Sequence, residues 1–191
     1  MIPEYKAKES LCKAAAYLAG RGLFRAGQGA ISVRAEKNAF WVNPPDVHPA
    51  FLTTDKLLRV QLNGRVCGSG RLGRNVLDNM IRLYRQAPET YAVCVLAPFY
   101  IEAIRADYPE LPPGSVDMEL PLCDKAYAKK GILHEQHWMT WGVDMEQAVM
   151  YADAMDLNYH SQARVAAARP NKQEILQRII GIVTEEMKGM R

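Results

Sequence analysis

The chain has 191 residues, 49% of them hydrophobic, which is enough apolar material for one domain with a sizeable core. Its 24 basic and 21 acidic side chains give a formal net charge of +3 and are spread along the chain, so no basic block indicates a nucleic-acid interface. The absence of about 18 consecutive apolar residues or of a secretory apolar core excludes a membrane span and predicts a cytoplasmic protein.

The N-terminal third of the chain predicts one helix and two hairpins. Apolar residues recur at helical spacing over residues 5–19, and glycines follow as a stop signal. GQGAISVR (27–34) and AFWVNPP (39–45) predict an antiparallel hairpin that ends at a proline pair. LLRVQLNGRVC (57–67) alternates apolar and polar residues before Asn63-Gly64, which predicts a second hairpin.

The middle of the chain predicts helices alternating with strands. Apolar residues recur at helical spacing over residues 75–85 and predict a helix that ends before Pro88. YAVCVLAPFY (91–100) indicates a buried strand over 91–97. Pro98 suits the first turn of a helix that reaches about residue 106. Residues 111–124 are irregular, and 131–142 have the composition of a further strand.

The C-terminal third predicts two more helices, each opened by a capping box. Asp144 with Gln147 begins the first helix, whose predicted core face carries Ala148, Ala152, Met155 and Tyr159. Asn171 with Glu174 begins the second helix, predicted over residues 171–188. The apolar face of this last helix is broad for a chain end, so it needs its own domain or another subunit as a partner.

Five segments of the chain are informative as a set: RGLFRAGQGAISVR (21–34), FWVNPP (40–45), LTTDKLLRVQLNGRVCG (52–68), IRLYRQAPETYAV (81–93) and LHEQHWMTWGVDMEQAVMYAD (133–153). Considered together, they resemble those of the class II aldolase/adducin family, whose enzymes include fuculose phosphate aldolase. They occur in the family's order and span roughly residues 9–165. The resemblance implies an α/β fold with a single class II aldolase/adducin-like domain, a mainly antiparallel central sheet and helices packed on both faces.

The same resemblance implies an assembly and a division of the chain. Family members are usually homotetramers with sites at subunit boundaries, so we expect self-association, with a tetramer as the expected form. We expect residues 1–168 to form the family domain. Residues 169–191 extend past the resemblance and are expected to form a C-terminal helix that contributes to assembly.

The resemblance also implies a zinc site in the enzymes, from which this chain departs. The family's three metal-binding histidines fall on Val95, Ala97 and His137, and its acid/base glutamate falls on Val76. One imidazole does not hold a zinc ion, so no metal cofactor is expected. His137 is then the remaining catalytic candidate, and the alternative is a core or interface imidazole satisfied by a neighbour.

A relocated metal site is a further alternative. His134, His137 and His160 are the histidines that such a site would use. In one continuous strand, residues three apart point to opposite faces of a sheet. Joint ligation by His134 and His137 therefore requires that the segment turns between them.

The family's phosphate-binding positions are also altered, and they fall on Gly29-Ala30, Pro45-Asp46 and Arg74-Asn75. The glycine-rich loop GSGRLGRN (68–75) leads into a helix and offers backbone N–H groups and two guanidiniums to an anion. The alternative is a solvated surface loop with flexible arginines. The candidate ligand-binding residues are Gly29, Arg71, Arg74 and His137, for a small anionic or phosphorylated ligand.

Two functions follow from these observations. The first is a family protein without the zinc site that binds a small anion or acts as a protein-interaction module, similar to the adducin head domain. The alternative is a lyase of the aldolase, epimerase or decarboxylase type, acting on a sugar-phosphate-like substrate with a rebuilt or metal-free site.

Overall fold

The computed structural model describes residues 2–25, 27–68, 70–98, 100, 131–134 and 137–168. Three helices and seven strands lie within these ranges. In chain order they are α1 (Glu4–Gly20), β1 (Ala30–Glu36), β2 (Ala39–Val42), β3 (Leu58–Gln61), β4 (Val66–Cys67), α2 (Arg74–Gln86), β5 (Ala92–Leu96), β6 (Gly131–His134), β7 (His137–Gly142) and α3 (Met145–Ala168). A short 3₁₀ helix, Pro49–Phe51, lies between β2 and β3.

The strands form one sheet in the order β4-β3-β2-β1-β5-β7-β6, and every neighbouring pair is antiparallel. Strand β5 lies between β1 and β7, with Val95 opposite Ala30 on one side and opposite Met139 on the other. All five of its residues are buried, because helices cover both faces of the sheet at this position. This explains why YAVCVLAPFY reads as a continuous apolar run.

Alternation along the strands sends side chains into two separate cores. On one face, Cys94 and Leu96 of β5 pack with apolar residues of α1 and α3. On the other face, Val93 and Val95 pack with apolar residues of α2. The predicted architecture, an antiparallel sheet with helices on both faces, is therefore confirmed.

The capping box predicted at Asp144 begins α3. The backbone N–H of Gln147 donates to Asp144 Oδ1 at 2.7 Å, and the Gln147 side chain accepts from the backbone N–H of Val143 at 3.1 Å. The first bond satisfies an N–H group that the first helical turn leaves without a partner, and the second bond fixes the chain just before the helix. The predicted core face is buried; its members are Ala148, Ala152, Met155 and Tyr159.

Both predicted hairpins of the N-terminal third are present. Strands β1 and β2 pair with Val33 opposite Trp41, and β3 and β4 pair with Val60 opposite Val66. Gly64 adopts φ +90°, a left-handed conformation that glycine reaches without steric cost, as the Asn63-Gly64 signature predicts.

The interpretation of residues 131–142 as one strand is wrong. The segment forms the two strands β6 and β7, which pair antiparallel with His134 opposite His137. Strand β7 also pairs with β5 along its other edge, and β6 adds the outermost strand to the sheet. His134 and His137 therefore lie in two paired strands and not in one continuous strand.

Three further predictions fall outside the described residues: the helix from Pro98 to about 106, the irregular segment 111–124 and the helix 171–188. No helix in the described ranges is both long enough and apolar enough to cross a bilayer.

Candidate functional site

The antiparallel order brings four strand ends to one end of the sheet. The starts of β1 and β7 and the ends of β2 and β5 meet there, and the start of α2 lies beside them. A cavity of about 360 Å³ opens between these elements. Its described lining residues are Gly27, Gly29, Ala30, Pro45, Leu72, Gly73, Arg74, Asn75, Val76 and His137.

The N-terminus of α2 forms one wall of the cavity. Gly73 is the N-cap residue and contributes no side-chain cap, and no acidic residue lies in the first turn. The backbone N–H groups of the first turn have no partner inside their own helix, and the helix dipole makes this end positive. The wall therefore has the polarity that an anion requires.

Arg74 is the first residue of this helix, and its side chain is exposed at the cavity. Within the part of the chain that the structure describes, its guanidinium makes no hydrogen bond or ion pair. Arg71 is also exposed, but it does not line the cavity. Of the two arginines predicted to bind the ligand, the structure places only Arg74 at this cavity.

Two glycines allow the loop before β1 to approach its neighbours closely. A Cβ on Gly29 would lie 2.5 Å from the Val95 carbonyl oxygen and 3.1 Å from the Phe24 ring. Gly27 has φ +75°, and a Cβ there would lie 3.7 Å from the Pro45 carbonyl oxygen. The loop is thus held against the ends of both β2 and β5, with its backbone at the cavity surface.

Side-chain hydrogen bonds fix the chain on both sides of this loop. Asn43 is buried at the end of β2, and its Oδ1 accepts from the Ile31 N–H at 2.6 Å. Its Nδ2 donates to the Pro44 carbonyl at 3.2 Å, which fixes the turn that brings Pro45 to the cavity. Arg25 Nε donates to the Ala97 carbonyl at 3.1 Å and connects the loop to the chain just after β5.

The positions where the resemblance implies metal ligands lie together at this end of the sheet. Val95 is opposite Met139 and Leu96 is opposite Trp138, where the described pairing of β5 with β7 ends. Ala97 and His137 are the next residues of the two segments beyond this last pair. Val95 and Ala97 are both buried. Their side chains are alkyl groups, which supply no electron pair to a metal ion.

The donor set that the described residues place around the cavity does not fit a zinc ion. A zinc site requires at least three nitrogen, sulfur or oxygen ligands from the protein. Of the described lining residues, only His137 belongs to the usual zinc-ligand types. The described ranges contain no group of three histidine, cysteine, aspartate or glutamate side chains placed to hold a metal ion.

The three histidines considered for a relocated site are not brought to one place. His134 is opposite His137 across the β6–β7 hairpin. His160 lies on α3, which packs on the face of the sheet opposite to α2, and its Nε2 is 3.4 Å from Asp156 Oδ1.

Asp156 was not singled out from the sequence, and it is the centre of a polar cluster on that other face. The carboxylate is 6% exposed; it accepts from Arg21 Nη2 at 3.1 Å and from the Tyr100 hydroxyl. Burial and this hydrogen bond raise the pKa of Tyr100. The cluster joins the end of α1 to α3 and to the segment after β5, so its role in the described structure is to hold these elements together.

Three of the four candidate ligand-binding residues, Gly29, Arg74 and His137, line the cavity. Leu72 and Gly73 were not named individually, although both belong to the predicted glycine-rich loop. Trp138, the residue after His137, is fully buried in the core with α1 and α3 and does not line the cavity.

Residues 9–120 match a family model described as the class II aldolase and adducin N-terminal domain. Among solved structures, the chain is similar to L-fuculose 1-phosphate aldolase from Glaciozyma antarctica PI12, with 22% identity, a TM-score of 0.67, and coverage of 87% of this chain and 76% of that one. An aldolase II superfamily protein from Pseudomonas syringae has 16% identity and a TM-score of 0.69, with 93% of this chain and 85% of that chain covered.

A third similar structure is L-fuculose-1-phosphate aldolase from Thermus thermophilus. It has 17% identity and a TM-score of 0.65, and the match covers 88% of this chain and all of that one. At these identities the likeness concerns the fold. A comparison with curated proteins returns no match.

Proposed function

Because the chain belongs to the class II aldolase and adducin family, we propose that it is a member without zinc aldolase chemistry that binds a small anion. The binding site is the cavity at the start of α2. One observation carries the proposal: the cavity combines a positive helix end and Arg74 with an alkyl side chain, that of Val76, at the implied acid/base position. The implied metal positions Val95 and Ala97 are buried alkyl groups that do not belong to the described lining.

Three kinds of group in this cavity interact favourably with an anion. The N–H groups of the first turn of α2 donate to its oxygens, and the helix dipole favours its charge. The guanidinium of Arg74 adds a charge-assisted hydrogen bond. His137 also lines the cavity and adds an imidazole ring as a further polar group.

Among the described lining residues, only His137 has a side chain of the usual acid/base types that aldolase, epimerase or decarboxylase chemistry uses. Proton transfer requires a titratable group within hydrogen-bond reach of the substrate. At the position implied for the acid/base, Val76 has no such group, and the aliphatic side chain of Leu72 lies on the same stretch of the wall. A lyase with a rebuilt or metal-free site is the alternative that the experiment must test.

The test combines metal content, binding and turnover on purified protein. We expect no stoichiometric zinc, manganese or iron by elemental analysis, and no retro-aldol cleavage of fuculose or ribulose phosphates. Inorganic phosphate is expected to shift the amide resonances of Gly27, Gly29 and Gly73, which line the cavity. Stoichiometric metal together with turnover would establish the lyase instead, and unchanged resonances would remove the anion site.

Self-association is the second part of the proposal. Val143 and Met150, near the start of α3, are 54% and 46% exposed. Exposed apolar side chains on a helix gain free energy when a second surface removes them from water. We propose that another copy of the chain covers these side chains, with a homotetramer as the expected assembly.

A further inference from the structure

We propose that the ligand of this cavity carries an apolar body next to its anionic group, in place of the hydroxyl-rich body of a sugar phosphate. This inference rests on the proposed anion site and specifies the class of molecule that occupies it. It follows from the composition of the cavity wall beyond the helix end.

The wall next to the start of α2 is aliphatic. Leu72 and Val76 are half-buried, and both pack on the core between α2 and the sheet. Two more residues extend this apolar surface. Ala30, which is fully buried, lies at the start of β1, and Pro45 lies shortly after the end of β2. The polar side chains of the described lining are those of Arg74, Asn75 and His137.

An aliphatic wall favours ligands with a hydrocarbon or aromatic group over ligands with several hydroxyl groups. A hydroxyl group that enters the cavity loses hydrogen bonds to water, and it must regain them from the protein to avoid a free-energy penalty. The aliphatic wall offers no partner for it. A hydrocarbon or aromatic group has no hydrogen bonds to water to lose, and its transfer from water to this surface is favourable in free energy.

The size of the cavity suits a small ligand. Its volume of about 360 Å³ lies near the lower end of the range of small-molecule sites, about 300–1,000 Å³. An anionic group at the start of α2 leaves space for one compact apolar group against Leu72 and Val76. The structure therefore favours a small amphiphilic phosphate or carboxylate.

Three probes that share one anionic group test the inference: inorganic phosphate, glycerol 1-phosphate and phenyl phosphate. Calorimetric titration of the full chain should give the tightest binding for phenyl phosphate. We expect about a tenfold lower Kd than for glycerol 1-phosphate, which corresponds to about 1.4 kcal/mol. The amide resonances of Gly29 and Gly73 serve to locate each probe in the cavity.

A matched pair of variants distinguishes the wall from the fold. Val76→Thr replaces a methyl group by a hydroxyl at nearly constant volume and should reduce the preference for phenyl phosphate to about threefold or less. Val66→Thr makes the same change at a half-buried position that packs on the same core but does not line the cavity, and it should keep the full preference.

The outcomes separate this inference from the proposed function. If inorganic phosphate binds and the two organic phosphates bind equally, the apolar-body inference is wrong and the anion site stands. The same conclusion follows if Val76→Thr keeps the full preference. If none of the three probes binds, the anion site itself is wrong, and the inference fails with it.

Discussion

The carbonyl oxygen of Val95 lies 2.5 Å from the point where a side chain on Gly29 would begin, so the end of β5 leaves room only for glycine at this position. This close approach holds the loop before β1 against the central strand. It also places the loop backbone at the surface of the cavity.

Gly29→Ala should destabilise the protein because the new methyl group meets backbone and an aromatic ring, neither of which moves easily. We expect a loss of about 1–3 kcal/mol in the free energy of unfolding, measured by urea denaturation. The matched control is Gly20→Ala, since a Cβ at Gly20 meets nothing within 4 Å. Equal stability of the two variants would refute the close contact.

Arg74→Gln should weaken phosphate binding, because the amide keeps hydrogen-bonding groups but loses the charge. We expect a three- to tenfold higher Kd in a calorimetric titration at low salt. Arg71→Gln is the control: it removes the same charge from the same loop, outside the cavity lining, and should change Kd less than twofold. Equal losses in both variants would indicate only a general electrostatic attraction.

His137→Ala should leave both metal content and assembly unchanged, because a single imidazole does not hold a divalent cation against water. Elemental analysis and sedimentation velocity of the variant and the parent protein measure the two quantities. A large fall in bound metal in the variant would show that His137 has ligand partners that we have not identified.

Removal of residues 170–191 should weaken self-association, because the sequence predicts a broad apolar face in this segment that needs a neighbouring copy. We expect the sedimentation distribution to shift towards smaller species at the same protein concentration. The paired substitutions Ile179→Lys and Ile182→Lys should have the same effect, and Gln177→Lys should not. An assembly of unchanged stability after truncation would contradict the prediction.

Burial raises the pKa of the Cys94 thiol from 9.0 to about 12. The folded state therefore holds this proton more tightly than the unfolded state, and the resulting stability is complete below pH 9 and is lost as the pH rises towards 12. Relative to Cys94→Ala, the parent protein should lose up to about 1.4 kcal/mol of unfolding free energy per pH unit above about 9. Parallel stability profiles of the two proteins between about pH 8 and 10.5 would disprove this effect.

Local patterns in the sequence were sufficient for most of the fold. The alternation before Asn63-Gly64 predicted a hairpin because a two-residue turn needs a residue with positive φ, which Gly64 supplies. The capping box at Asp144 predicted the start of α3 because its hydrogen bonds join residues three and four apart. Such interactions depend on neighbours in the chain, so the sequence contains the whole signal.

The division of residues 131–142 into β6 and β7, in contrast, could not be predicted from local sequence patterns. Glu135-Gln136 carries no glycine, asparagine or aspartate, so the local sequence has no signature of a two-residue turn. The pairing of β7 with β5 on one edge and β6 on the other defines the two strands. That information lies in contacts between distant segments, which the composition of residues 131–142 does not contain.

The candidate site shows the same division. The sequence by itself determined which chemical groups are present: one histidine, alkyl side chains at the implied ligand positions, and two arginines in a glycine-rich loop. Only the tertiary structure decided which of them meet, because the antiparallel order of the strands brings Gly29, Arg74 and His137 to one end of the sheet. It leaves Arg71 outside the cavity lining, although Arg71 lies only three residues before Arg74 in the chain.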